Sequence, residues 1–111
     1  MRKGEVRANG IPAGVLEETL DGFRFLYYRD YAGHLDLPAV SLTLPKRADQ
    51  PYESPVLFPF FAGLLTEGTA MHIQCRMLKL DETDLFGRLL KTAQDDVIGN
   101  VTIHEMEENA L

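Results

Sequence analysis

Thiols are nearly absent from this chain: Cys75 is the single cysteine. That excludes an intramolecular disulfide and any CxxC metal or redox pair. Cations are also scarce. Eleven Lys and Arg stand against seventeen Asp and Glu, a net charge of −6, and Arg2-Lys3 and Lys46-Arg47 are the only adjacent basic pairs. Both read as solvated charges of a terminus and a loop. Direct nucleic-acid binding needs clustered cations on the phosphates, so the composition argues against it. No apolar run approaches the roughly eighteen residues of a membrane span. The charged N-terminal stretch Met1-Arg2-Lys3-Gly4-Glu5 does not resemble a signal peptide. These absences together point to a cytoplasmic protein.

A catalytic constellation is missing as well. His34, His72 and His104 fall in a loop, a helix and a strand without HxxxH or HExxH spacing, so no metal site is expected. Cys75 on a helix is more simply a small buried apolar residue than a nucleophile. Asp95-Asp96 and Asp81-Glu82-Asp84 are carboxylates of the kind that turns and helix starts collect. The segment Asp84-Leu85-Phe86-Gly87 loosely resembles a kinase metal-binding motif, but has one residue too many and no phosphate loop or catalytic loop beside it. It reads better as a helix start, with Asp84 near the positive end of the dipole. The weight moves from enzyme to binding module, with no cofactor.

What is present is an ordinary globular composition, 45% hydrophobic and 25% charged over 111 residues. That is enough for one domain, 1–111, to bury a core without staples. Asn9-Gly10 and Asp21-Gly22 suit tight hairpin turns. They separate "EVRA", "AGVLEET" and "FRFLYYR", a three-strand meander in which Phe23, Phe25 and Tyr27 share one face. "PAVSLTLP", residues 38–45, alternates Val40, Leu42 and Leu44 with Ser41 and Thr43 and reads as the clearest strand. Residues 46–56 read as a polar loop where ladder pairing lapses.

The period then changes. Leu57, Phe60, Phe61, Leu64 and Leu65 fall on one helical face, with Pro59 in the first turn and Gly68 as a left-handed residue past the end. This stripe reads as core, and Phe58, lying off it, as exposed. A second helix is expected over 69–80, with Thr69 as N-cap and Ile73, Met77 and Leu80 inward. A third begins near Thr83 with Leu85, Phe86, Leu89 and Leu90 inward. Residues 93–100 read as a turn, and "VTIHEM" as a closing strand with Val101 and Ile103 inward. The class is α+β: a small, mostly antiparallel sheet with about three short helices on one side.

Ser41-Leu42-Thr43-Leu44-Pro45, then Tyr52, then Phe60-Phe61-Ala62-Gly63-Leu64-Leu65-Thr66-Glu67-Gly68 resembles the N-terminal subdomain of HipA-type serine/threonine kinases. The resemblance extends through Asn9-Gly10, Gly14-Val15-Leu16 and the aromatic strand ending at Tyr31. Downstream it takes in Asp84-Leu85-Phe86, Leu89-Leu90, Asp95 and Gly99-Asn100-Val101. Thr66 replaces the usual proline, Gln94 a glycine and Asn100 an alanine. An arginine usual after the Glu-Gly pair is missing, and the chain stops where kinase subdomains would begin. A free-standing copy is similar to HipS, the small component of split, three-gene Hip systems.

That resemblance implies an antitoxin-like module that associates with and inhibits a separate, shortened HipA-like kinase. DNA would be reached only indirectly, through a HipB-like helix-turn-helix protein. The turn after the 57–66 helix is the expected contact, with Phe58, Thr66, Glu67, Gly68, Thr69 and Met71 as partner-binding residues. Two readings stay open beside it: a non-inhibitory scaffold for the kinase, and a small enzyme using Cys75 or a histidine.

Overall fold

The computed structural model describes residues 1–94 and 100–107. Five antiparallel strands form one sheet in the order β4-β3-β2-β1-β5: β1 Lys3–Ala8, β2 Ile11–Thr19, β3 Gly22–Tyr27, β4 Tyr52–Ser54 and β5 Val101–Met106. Helices α1 Arg29–Ala32, α2 Pro59–Ala62, α3 Gly68–Leu78 and α4 Leu85–Thr92 complete it, one more helix than expected. The α+β class and the closing strand hold. The turn expected over 93–100, and the carboxylates Asp95-Asp96, lie largely outside the described residues.

Strand alternation builds the core. Val6, Ala8, Leu16, Phe25, Tyr27, Val101 and Ile103 are buried on one sheet face. Phe61 of α2 and Phe86, Leu89 and Leu90 of α4 pack with them, and the Phe25 and Phe61 rings meet at 5.5 Å. The opposite sheet face carries Lys3, Glu17, Arg24 and Glu53 abreast across four strands, and Arg24 reaches Glu17 at 3.3 Å. Such alternation of buried and polar faces is what one-sided antiparallel sheets require.

The first hairpin turns on Asn9-Gly10, both at positive φ, as that pair favours. The second does not turn on Asp21-Gly22. Thr19 pairs with Gly22, so Leu20 and Asp21 form the loop. Gly22 begins β3 where β4 crosses closely: a Cβ there would lie 2.1 Å from the Ser54 carbonyl oxygen. Strand β4 itself corrects the expectation that pairing lapses over 46–56, although it is only three residues long and lies at the sheet edge.

The largest correction is at 38–45, which is no strand. Its alternation serves a loop folded on a turn, where the Leu44 amide donates to the Ser41 carbonyl. Val40 and Leu44 are buried, while Leu42 at the tip is 99% exposed. Tyrosine hydroxyls from outside the segment hold it. Tyr27 accepts from the Val40 amide at 3.1 Å and donates to the Leu44 carbonyl, and Tyr31 donates to the Pro38 carbonyl at 2.7 Å. Tyr52 reaches the Pro45 carbonyl. Backbone groups that a sheet partner would satisfy are satisfied by phenols instead.

Candidate functional site

The polar turn at 66–71 rises from the helical layer. Helix α2 is a single turn, shorter than the two or three turns expected. Beyond Ala62 the chain tightens into i→i+3 bonds, from the Leu64 amide to Phe61 and from the Leu65 amide to Ala62. Leu57, Phe61, Leu64 and Leu65 are buried and Phe60 is half-buried, as a core stripe requires. Phe58 is buried too, at 8%, against the edge of Phe61. Its expected exposure is corrected: as the residue preceding α2 it turns inward, away from any partner.

The other five residues stay together. Thr66 is half-buried, Glu67, Gly68 and Thr69 are exposed, and Met71 is half-buried. Glu67 is extended (φ −121°, ψ 170°) and precedes α3, so Thr69 lies inside the first turn and is not the N-cap. Gly68 adopts φ +68° with open space where a Cβ would stand. Glycine is therefore needed for the backbone, not for packing. The Glu67 side chain accepts from none of the first amides of α3.

Helix α3 is turned over relative to expectation. Ile73 (55% exposed) and Met77 (77%) face solvent, and Cys75 (2%) is its one buried residue. Apolar residues run round most of this helix, so 3.6-residue periodicity selects no single inner face. Tertiary anchoring decides, and it comes from a residue the sequence reading passed over. Arg88 of α4 is buried (5%), donating from Nη2 to the Thr66 carbonyl at 2.9 Å and from Nη1 to the Glu82 carbonyl at 3.1 Å. One guanidinium thus grips the chain just before and just after α3. The available signal was a lone cation inside the apolar run Leu85-Phe86-Gly87-Arg88-Leu89-Leu90.

The return leg is tied independently. His72 Nδ1 pairs with Glu82 Oε2 at 2.8 Å, and Asp81 accepts from the Thr83 amide and hydroxyl. Asp84 caps α4 by accepting from the Gly87 amide, and both its oxygens also accept from Arg2, at 2.8 and 2.9 Å. Arg2 further donates to both oxygens of Glu18. Arg2 is thus no loose terminal charge. Its hydrogen bonds hold the Glu18 and Asp84 carboxyls below their usual range. Leu85 is half-exposed rather than inward.

The residues once weighed for chemistry remain apart. His34 is exposed in a loop, His72 is paired with Glu82, and His104 on β5 bonds Thr102 Oγ1 at 2.9 Å. Among the described residues no three His, Cys, Asp or Glu side chains gather where they could hold a metal. Nor is any helix among them long and apolar enough to cross a membrane. The turn and α3 offer hydrogen-bonding groups, a carboxylate and apolar side chains.

A family model described as the HipA N-terminal domain matches residues 4–104. An uncharacterized protein of Haemophilus influenzae is 36% identical over 108 residues, covering 97% of this chain and 96% of that one. A solved N-terminal domain of HipA toxin is 33% identical and superposes with a TM-score of 0.73, covering 98% of this chain and 96% of that chain.

Proposed function

The chain belongs to the HipA N-terminal domain family, one tied to toxin–antitoxin systems, and from that premise we propose that it is an antitoxin-like module inhibiting a HipA-like serine/threonine kinase. The observation that supports it best is the 67–71 segment, exposed from Glu67 to Ala70 and anchored just before it by the grip of Arg88 on Thr66. A turn so placed presents a carboxylate, a hydroxyl, a left-handed glycine and an adaptable methionine to a cleft. Kinase-lobe chemistry is not asked of this chain. Its excess of negative charge leaves DNA to a HipB-like helix-turn-helix partner.

The test uses a HipA-like kinase without an N-terminal HipA domain of its own, assayed with and without the purified chain. Inhibition by the wild type is expected, and so is its weakening when residues 67–71 become a Gly/Ser linker that leaves the thermal midpoint unchanged. If the linker variant inhibits as well as wild type, the turn is not the site. Co-purification without any inhibition establishes the scaffold reading instead.

A further inference from the structure

Ala70, Ile73 and Met77 recur at i, i+3 and i+7 along α3, which sets them in one ridge opposite buried Cys75. All three are exposed. Isolated exposed apolar residues such as Leu20 or Leu42 are commonplace, but a contiguous ridge on a surface helix is not.

The charges around the ridge carry the second observation. Arg2, Arg7, Arg24, Arg29 and Lys91 are each ion-paired. Lys46, Arg47 and Arg88 donate to backbone carbonyls. Lys3 on the sheet, and Arg76 and Lys79 on and just past α3, have no side-chain partner among the described residues, so two of these three cations flank the helix that carries the ridge.

We infer that the outer face of α3 is a docking ridge for an apolar groove rimmed by carboxylates on the partner kinase. The ridge anchors the complex while the 66–71 turn blocks activity, a division of labour that rests on the function proposed above. Apolar burial supplies affinity, and Arg76 and Lys79 supply register and encounter rate. A second copy is a poor occupant, because α3 has no carboxylate from Gly68 to Leu78 to meet those cations. An anionic bilayer is a poor one too, since it repels the acidic remainder of the chain.

The experiment measures binding to the same kinase for wild type, Ile73→Ser/Met77→Ser, Arg76→Glu/Lys79→Glu and the 67–71 Gly/Ser variant. Each protein is first checked for an unchanged thermal midpoint. The apolar double variant is expected to raise Kd by about 30-fold or more. The charge-reversed one should raise it about 10-fold at low salt, a gap that closes as salt screens the pair. The linker variant, which also replaces Ala70 at the near end of the ridge, should lose inhibition while losing less affinity than the Ile73/Met77 double variant. Wild-type affinity in both double variants overturns the ridge and leaves the inhibitory function standing. Absence of binding by the wild type overturns both. Loss of self-association, or of binding to phosphatidylserine vesicles, with kinase affinity intact overturns the choice of occupant.

Discussion

Two segments leave the sheet and return to it, and they are held in opposite ways. The 38–45 loop is pinned along its length by the hydroxyls of Tyr27, Tyr31 and Tyr52, and it buries Val40 and Leu44 in the core. The 67–81 excursion is held mainly at its base, by Arg88 on the Thr66 and Glu82 carbonyls and by the His72–Glu82 pair, and leaves most of α3 in solvent. The first is part of the fold despite having no regular structure. The second is regular but mostly outside the core. Regularity is therefore a poor guide to which segment stabilises the domain and which is free to meet a partner. Burial and hydrogen-bond accounting discriminate between them.

The largest effect is expected from Tyr27→Phe. The ring and its packing stay, but the Val40 amide and the Leu44 carbonyl lose their shared partner in a buried place. Orphaning two buried backbone groups costs about 2–4 kcal/mol, which lowers the thermal midpoint of a chain this size by roughly 10 °C or more. There is a pH signature as well. Burial pushes the Tyr27 hydroxyl up to about 12. A raised folded-state pKa means its contribution is fully present below the unfolded value of about 10. That contribution fades as pH rises through about 12, and in Tyr27→Phe this part of the alkaline loss should disappear from the denaturation profile. A variant as stable as wild type would show that the loop is not hung from the core as described.

Arg88→Met acts on the other segment. It releases the carbonyls of Thr66 and Glu82, but also removes a buried charge whose Nε has no partner among the described residues, so the two effects partly offset. Global stability should fall by about 1–2 kcal/mol. The local effect is the diagnostic one. Amide exchange in α3 should accelerate by about 10-fold or more while the β1–β2 and β1–β5 ladders stay protected. Uniform acceleration across the domain would mean that α3 and the sheet open as one unit.

This contrast explains what was legible in the sequence. The meander, the closing strand and the inner face of α4 from Phe86 to Leu90 follow from period and turn chemistry, which act locally. The polar turn was found because Gly68 marks a break in the apolar pattern. The 38–45 loop is indistinguishable from a strand in sequence, because alternation at Val40 and Leu44 is identical whether a strand or a phenol satisfies the backbone between them. Phe58 and the face of α3 were misplaced for a related reason. Phe58 precedes α2 with non-helical backbone angles, so the helical stripe does not place it, and the face of α3 is set by a tertiary contact, Arg88, that periodicity does not record.

Arg2→Ala probes the return leg of the excursion, where Asp84 caps α4. Hydrogen bonds from Arg2 depress the Glu18 and Asp84 carboxyls. A lowered folded-state pKa contributes stability above the ordinary carboxylate value near 4, lost as pH falls through the depressed values. These groups are partly exposed, so the combined loss in Arg2→Ala should be only about 1 kcal/mol at pH 7. The gap between wild type and variant should narrow in urea titrations as pH falls through the depressed values. A gap that persists there would assign the effect to the packing of Arg2 over the Phe86 ring.

The smallest effect on stability belongs to the residues with the largest expected effect on binding. Ile73→Ser/Met77→Ser alters two side chains that face solvent, so the free energy of unfolding should change by less than about 0.5 kcal/mol. Cys75, on the opposite side of the same helix, supplies the control. Cys75→Leu overfills a closed site and should cost about 1–3 kcal/mol, although it adds apolar surface where the double variant removes it. If denaturation shows the solvent-facing pair to be as costly as Cys75, then α3 packs on the domain through its outer face. The distinction between a pinned loop and a free helix would then collapse. If the pair is silent in denaturation, its apolar character contributes nothing to folding, and the affinity of the same variant for the kinase decides whether it serves binding.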